Sequence, residues 1–192
     1  YAIAVDGTGS AYVAGEGLSD STFPATVGPD PTYNGNAYDA IVAKVNSAGT
    51  ALVYAGFIGG EGQDRGRGIA VDANGCAYVT GFTSSTSTFP LSSAFDSTHN
   101  GGWSDAFIAK VNAAGTALTF ASYLGGNGGE YGLGVAVDGS SSAYLSGYSS
   151  SAATFPVKVG PSSTASGNKD AFVAKVNAAG SQLAYAGFLG GS

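Results

Sequence analysis

Two glycine-rich acidic loops offer the first chemistry in this chain. Gly59-Gly60-Glu61-Gly62-Gln63-Asp64 and Gly125-Gly126-Asn127-Gly128-Gly129-Glu130 present hard oxygen donors of the kind calcium gathers, roughly six to eight at a time. Glu61, Asp64 and Glu130 are the candidate ligands. Their spacing is far sparser than that of an EF-hand loop, so the competing reading is a glycine turn with a solvated carboxylate. The same glycines mimic a dinucleotide fingerprint, but no helical pattern follows to set an N-terminus against phosphate. His99 is the single histidine, which excludes a His-based catalytic zinc site within one chain. No Gly-x-Ser-x-Gly elbow surrounds any serine, so a nucleophile triad built on His99 lacks its usual setting. Glu16, Asp20, Asp30 and Asp96 are the carboxylates a glycosidase would need, and they are scattered along the chain.

A second set of candidates is aromatic. Tyr33, Tyr38, His99, Trp103 and Tyr131, with Arg65, fall in long connections and offer stacking surfaces and hydrogen bonds to a sugar or a protein partner. Tyr33 and His99 occupy matching positions, so the competing reading makes them buttresses of a loop.

What positions these residues is a repeat. Ile3-Ala4-Val5-Asp6 returns as Ile69-Ala70-Val71-Asp72 and as Val135-Ala136-Val137-Asp138, 66 residues apart at each step. Asp39-Ala40-Ile41-Val42-Ala43-Lys44-Val45-Asn46 returns at Asp105 to Asn112 and at Asp170 to Asn177. Each copy predicts four strands. In the middle copy these are Gly68 to Asp72, Ala77 to Thr83, Asp105 to Asn112 and Ala117 to Leu124, with Asn74-Gly75 and Gly115 as hairpin turns. Both faces of these strands carry apolar groups, so each sheet is expected to lie between neighbours. The predicted fold is therefore all-β: β-propeller blades, three tandem four-stranded antiparallel meanders of about 66 residues. Blade 1 spans 1–60, blade 2 spans 61–126 and blade 3 spans 127–192.

Composition agrees. There are 32 glycines and no methionine, and charged residues make up only 10% of the 192 residues, which removes the usual material of exposed helices. A net charge of −6 with seven Lys and Arg argues against a nucleic-acid partner. No apolar run is long enough to span a bilayer as a helix. Cys76 stands alone, in a turn position where the other copies have Ser10 and Ser142, and is read as a serine replacement. The chain begins at Tyr1 without a signal-like segment, which suggests a mature product or a piece of a longer chain. Runs such as Thr83-Ser84-Ser85-Thr86-Ser87-Thr88, with no Asn-x-Ser/Thr sequon, leave only O-linked glycosylation open.

Residues identical in all copies read as architecture. Asp6, Asp72 and Asp138 close a strand before a turn and are expected to accept local backbone N–H bonds. Asp39, Asp105 and Asp170 are expected to pair with Lys44, Lys110 and Lys175.

The middle copy, through Gly75-Cys76-Ala77-Tyr78-Val79-Thr80-Gly81, Phe89-Pro90, Asn100-Gly101-Gly102-Trp103-Ser104-Asp105-Ala106-Phe107-Ile108-Ala109-Lys110-Val111-Asn112 and Tyr123-Leu124-Gly125-Gly126, resembles the bacterial β-propeller repeat known as SBBP. The likeness implies blades from large secreted or surface proteins and brings no catalytic residues. The first copy departs from it at Glu16-Gly17-Leu18 and the third at Ser166-Gly167-Asn168-Lys169.

Propellers close with about four to eight blades, so three need partners. The expectation is a non-catalytic structural or adhesive module, extracellular or on a cell surface, partnered by further blades or copies of itself. A carbohydrate-binding propeller that takes glycans is the alternative, and a polysaccharide-active enzyme ranks third. No cofactor other than calcium is expected.

Overall fold

Turn chemistry and alternation divide the chain as the repeat predicts. A computed structural model describes residues 1–18, 22–35 and 37–189, and among them are twelve strands and no helix. The first blade runs β1 (Ala2–Val5), β2 (Ala11–Gly17), β3 (Asp39–Val45) and β4 (Leu52–Ile58). The second runs β5 (Asp64–Val71), β6 (Ala77–Thr83), β7 (Asp105–Val111) and β8 (Leu118–Leu124). The third runs β9 (Glu130–Val137), β10 (Ala143–Ser149), β11 (Asp170–Val176) and β12 (Leu183–Phe188). Each set is a four-stranded antiparallel meander in chain order, and the sheets do not close into a barrel.

The first strand of the middle blade is longer than the sequence suggests, starting at Asp64 rather than Gly68. It continues through a bulge, where the register to β6 shifts between Gly66 and Gly68. Glycine-rich segments carry little β-propensity of their own, so only the pairing with β6 reveals this part as strand.

Two apolar clusters fill the spaces between sheets. Tyr12, Val42, Tyr54 and Ile58 of blade 1 meet Ile69, Val79, Phe107 and Tyr123 of blade 2. Tyr78, Ile108, Phe120 and Leu124 from the other face of blade 2 meet Leu145, Phe155, Phe172 and Phe188 of blade 3. The middle sheet is thus buried on both faces, which explains why its strands read apolar on both.

The hairpin between the third and fourth strands of blades 2 and 3 packs against the blade before it. In all three blades its asparagine caps the turn: Asn46, Asn112 and Asn177 accept from the amides of Thr50, Thr116 and Ser181 at 2.9, 2.8 and 3.0 Å. Gly115 and Gly180 sit there at positive φ, and a Cβ would run into the Tyr54 ring at the first and the Phe120 ring at the second. Gly49 has the same positive φ with open space around it. Gly49→Ala should therefore cost only the strain of a left-handed Ala, about 1 kcal/mol. Gly115→Ala and Gly180→Ala should each cost about 3 kcal/mol or more. Urea unfolding of the three variants checks this ordering.

Candidate functional site

Antiparallel order places the long connections on one rim, and short polar side chains hold them there. The amides of Gly62 and Gln63 donate to Ser85 Oγ and Ser84 Oγ at 2.8 and 2.7 Å. One blade on, the amides of Gly128 and Gly129 donate to Ser151 Oγ and Ser150 Oγ, both at 2.6 Å. The serine and threonine runs are thus fasteners for the glycine-rich loops. Glu61 belongs to the same device: it accepts from the amides of Thr86, Ser87 and Thr88 at 2.8, 3.0 and 3.0 Å. Burial opposes its ionisation, yet the Thr88 hydroxyl and these amides hold the carboxyl well below the usual range.

Tyr33 and His99 buttress their loops. The Tyr33 ring stands edge-on to Phe57 at 5.9 Å and its hydroxyl donates to the Ala37 carbonyl. The His99 ring stands edge-on to Tyr123 at 5.8 Å, with Nδ1 accepting from the Gly101 amide at 3.3 Å. Asp30 and Asp96, candidate carboxylates from the sequence, hold the side-chain amides of Asn34 and Asn100 at 2.6 and 2.8 Å. Glu16 pairs with Arg65 at 3.4 Å and Arg67 at 3.6 Å. Asp20 lies outside the described residues.

The other aromatic candidates line up across the blades. The Arg65 guanidinium lies 4.4 Å from the Tyr38 ring centre and 5.8 Å from that of Phe82. Phe82 meets Tyr131 at 4.6 Å, and Tyr131 stacks on Tyr148 at 4.7 Å with 22° between the rings. Lys169 closes the row 4.9 Å from the Tyr148 ring. Beside this track lies a cavity of about 290 Å³ lined by Gln63, Phe82, Ser84, Trp103, Ser104 and Tyr131. Trp103 on its edge is 90% exposed. Phe82 and Tyr148 escape a sequence reading because they end regular strands, where an aromatic residue reads as core; their signal is that Glu16 fills the same place in the first copy.

Beneath the rim, carboxylates meet at each blade junction. Asp39 and Asp64 are fully buried, as are Asp105 and Glu130. Asp39 opens β3 and accepts from the Asn34 amide at 2.8 Å; Asp105 opens β7 and accepts from the Asn100 amide at 2.9 Å. Burial and the neighbouring Asp64 push the Asp39 carboxyl up to about 6 against the Asn34 amide, and burial with Glu130 nearby pushes Asp105 up to about 7. Burial raises Asp64 as well.

The expected pairing of these aspartates with lysines is wrong. Lys44, Lys110 and Lys175 instead reach Asp6, Asp72 and Asp138 at 3.4, 3.4 and 3.3 Å, across the opposite end of the sheet. A tyrosine completes each set: Tyr12, Tyr78 and Tyr144 donate to those same carboxylates, each at 3.0 Å. Register explains it, since each lysine lies directly across from its tyrosine on the second strand. The aspartates also accept turn amides, as Cys76 and Asn74 donate to Asp72 at 3.0 Å each, in line with their architectural reading. Cys76 is half-buried and unpaired as a thiol.

Twelve strands in three stacked meanders with a loop-bearing rim define an all-β protein of propeller-type blades. Compared with known proteins, the chain matches no family model and no curated protein. No described helix is long and apolar enough to cross a membrane.

Proposed function

We propose that this chain is a non-catalytic structural or adhesive propeller module, working outside the cell or on its surface, and that it acts by docking blade against blade. The observation that carries this is a clasp used twice and presented a third time. The Tyr12 hydroxyl reaches the Gly75 carbonyl of the next blade at 3.3 Å, and the Tyr78 hydroxyl reaches the Ser141 carbonyl at 3.1 Å. Tyr144 carries the same Asp138 and Lys175 partners but meets no carbonyl of a following blade among the described residues.

The surface around Tyr144 repeats a buried one. Tyr78, Ala106, Ile108, Phe120 and Leu124 are fully buried between blades 2 and 3. Their counterparts Tyr144, Val173 and Tyr185 are half-buried, Ala171 is exposed and Leu189 is 55% exposed. On the outer face of blade 1, Ile3 is 68% exposed where its counterpart Ile69 is buried. The two open faces are therefore the two halves of the interface the chain already makes twice, and the fitting occupant is another blade of the same repeat. Contiguous apolar faces of this kind mark association sites.

The native mass of the 192-residue chain tests the reading. A discrete dimer, giving six blades, or a larger particle is expected at micromolar concentration, with Val173→Arg reducing it to a folded monomer. A folded monomer of the unaltered chain across that range would overturn it.

A glycan-binding reading is favoured by one feature, the Trp103 groove. Its aromatic walls and the polar groups of Gln63, Ser84 and Ser104 suit the apolar face and hydroxyls of a sugar ring. Trp103 is the only tryptophan, so oligosaccharides should change the protein's indole fluorescence, and Trp103→Ala should abolish their binding. Unchanged emission across a panel of oligosaccharides would remove this reading.

A further inference from the structure

A carboxylate buried without a counter-charge is costly, so an interior that keeps two of them side by side needs a compensating partner. Asp39 and Asp64 are such a pair. Both stand close to the point where a side chain on Gly59 would begin, Asp39 Oδ1 at 2.8 Å and Asp64 Oδ2 at 2.9 Å. Asp39 Oδ1 is buried and has no hydrogen-bond partner. No described ion pair involves either residue, and the other charged group bearing on Asp39 is a further carboxylate, Asp30.

Main-chain oxygens stand near Asp39 Oδ1 as well. A Cβ built on Gly35 would stand 2.9 Å from Asp39 Oδ1 and 3.1 Å from the carbonyl oxygens of both Gly60 and Gly62. Glycine at 35 leaves the room in front of these three oxygens open. The second junction repeats the carboxylate pair. Asp105 Oδ1 is again buried and unpartnered, Glu130 stands where Asp64 does, and the amide of Gly126 donates to Glu130 at 2.7 Å just as that of Gly60 donates to Asp64 at 2.8 Å.

We infer that these blade junctions are cation sites of the calcium class, formed by Asp39, Asp64 and the carbonyls of Gly60 and Gly62 at the first, and centred on Asp105 and Glu130 at the second. Every donor is a hard oxygen, drawn from a mixture of carboxylates and main-chain carbonyls that suits calcium rather than zinc. No group of three or more His, Cys, Asp or Glu side chains gathers among the described residues, so the main chain supplies the rest of the ligand set. Asp64 and Glu130 keep the role their sequence suggested, Asp39 and Asp105 join them, and Glu61 is occupied by the amides of the serine and threonine run. Because each site joins the third strand of one blade to the loop that leads into the next, the cation would tie blade to blade.

The test is calcium titration of the chelator-stripped chain at pH 7.5, followed by calorimetry and by thermal unfolding, with terbium luminescence sensitised by the nearby tyrosines as a third readout. Calcium a hundredfold above its Kd should raise the unfolding midpoint by about 5 °C or more. Asp39→Asn with Asp105→Asn should remain folded in chelator, because a buried charge has been removed at each site, and should lose both the heat of binding and the shift. Absence of calcium or terbium binding up to millimolar concentration would overturn the inference, and a rise in chelator stability in the double variant would then mark each pair as sharing a proton. Equal binding by the unaltered chain and the double variant would overturn it too, placing the cation elsewhere.

Discussion

Ile108→Arg is expected to abolish cooperative unfolding, whereas the same change at Val173, its counterpart one blade on, should leave the chain folded. Ile108 lies on β7 at 0% exposure, in the cluster with Tyr78, Phe120, Phe155 and Phe172. An arginine there would bring a charge into an apolar cluster, at a cost of several kcal/mol that approaches the whole stability of a domain. Val173 stands at the equivalent place on β11 but is only half-buried, so its arginine can extend into water. Circular dichroism and urea denaturation would separate the two at once. If both variants unfolded, the outer face of blade 3 would have to be packed as a core already, contrary to the exposure of Ala171 and Leu189.

That contrast also shows what the sequence can and cannot convey. Strand positions were legible because the repeat exposes the pattern three times: β6 runs over the predicted Ala77 to Thr83, and β7 and β8 differ from expectation by one residue. The bulged start of β5 was not legible, since Arg65-Gly66-Arg67-Gly68 has no apolar alternation and becomes strand only by pairing with β6. Tyr38, Arg65, Trp103 and Tyr131 stand out in the sequence by type, but Arg65 and Tyr131 lie on β5 and β9 rather than in the long connections expected of them, and the order of the row is not legible. The track from Tyr38 to Lys169 depends on how far adjacent blades are turned against each other, which no local pattern encodes. Lysine pairing was misread for a related reason. Asp39 and Lys44 share a strand, while Asp6 is distant in sequence and is brought to Lys44 across β2, with Tyr12 lying between them.

The Asp72 clasp sets the second large expectation. Asp72 Oδ2 accepts from Tyr78 at 3.0 Å and from the Ser141 hydroxyl of the next blade at 3.2 Å, and pairs with Lys110 at 3.4 Å. The side chains of Asp72 and Lys110 are 2% and 10% exposed. Asp72→Asn keeps an oxygen for the turn amides of Asn74 and Cys76 only by turning its NH2 group, a donor, toward Lys110 and Tyr78, where a carboxylate oxygen is needed. Leaving Lys110 without its counter-charge should destabilise the chain by about 3 kcal/mol. Tyr78→Phe, which removes one hydroxyl from the clasp and leaves the ion pair, should cost about 1 kcal/mol. The pH dependence separates charge from packing. Burial alone would raise the Asp72 carboxyl, but the Cys76 amide, the Tyr78 hydroxyl and Lys110 hold it below its ordinary value of 3.8. A carboxyl depressed in the folded state contributes stability that is complete above the unfolded value and is lost as pH falls through the folded one. The unaltered chain should therefore lose stability below pH 4, and Asp72→Asn should flatten that loss in urea titrations between about pH 4 and pH 2. Asp6 and Asp138 are depressed in the same way, so a residual slope should persist in the single variant and fall further when the equivalent residues are also changed. An acid profile identical in the unaltered chain and in Asp72→Asn would mean that the carboxylate is not what holds Lys110 and Tyr78 at the blade junction.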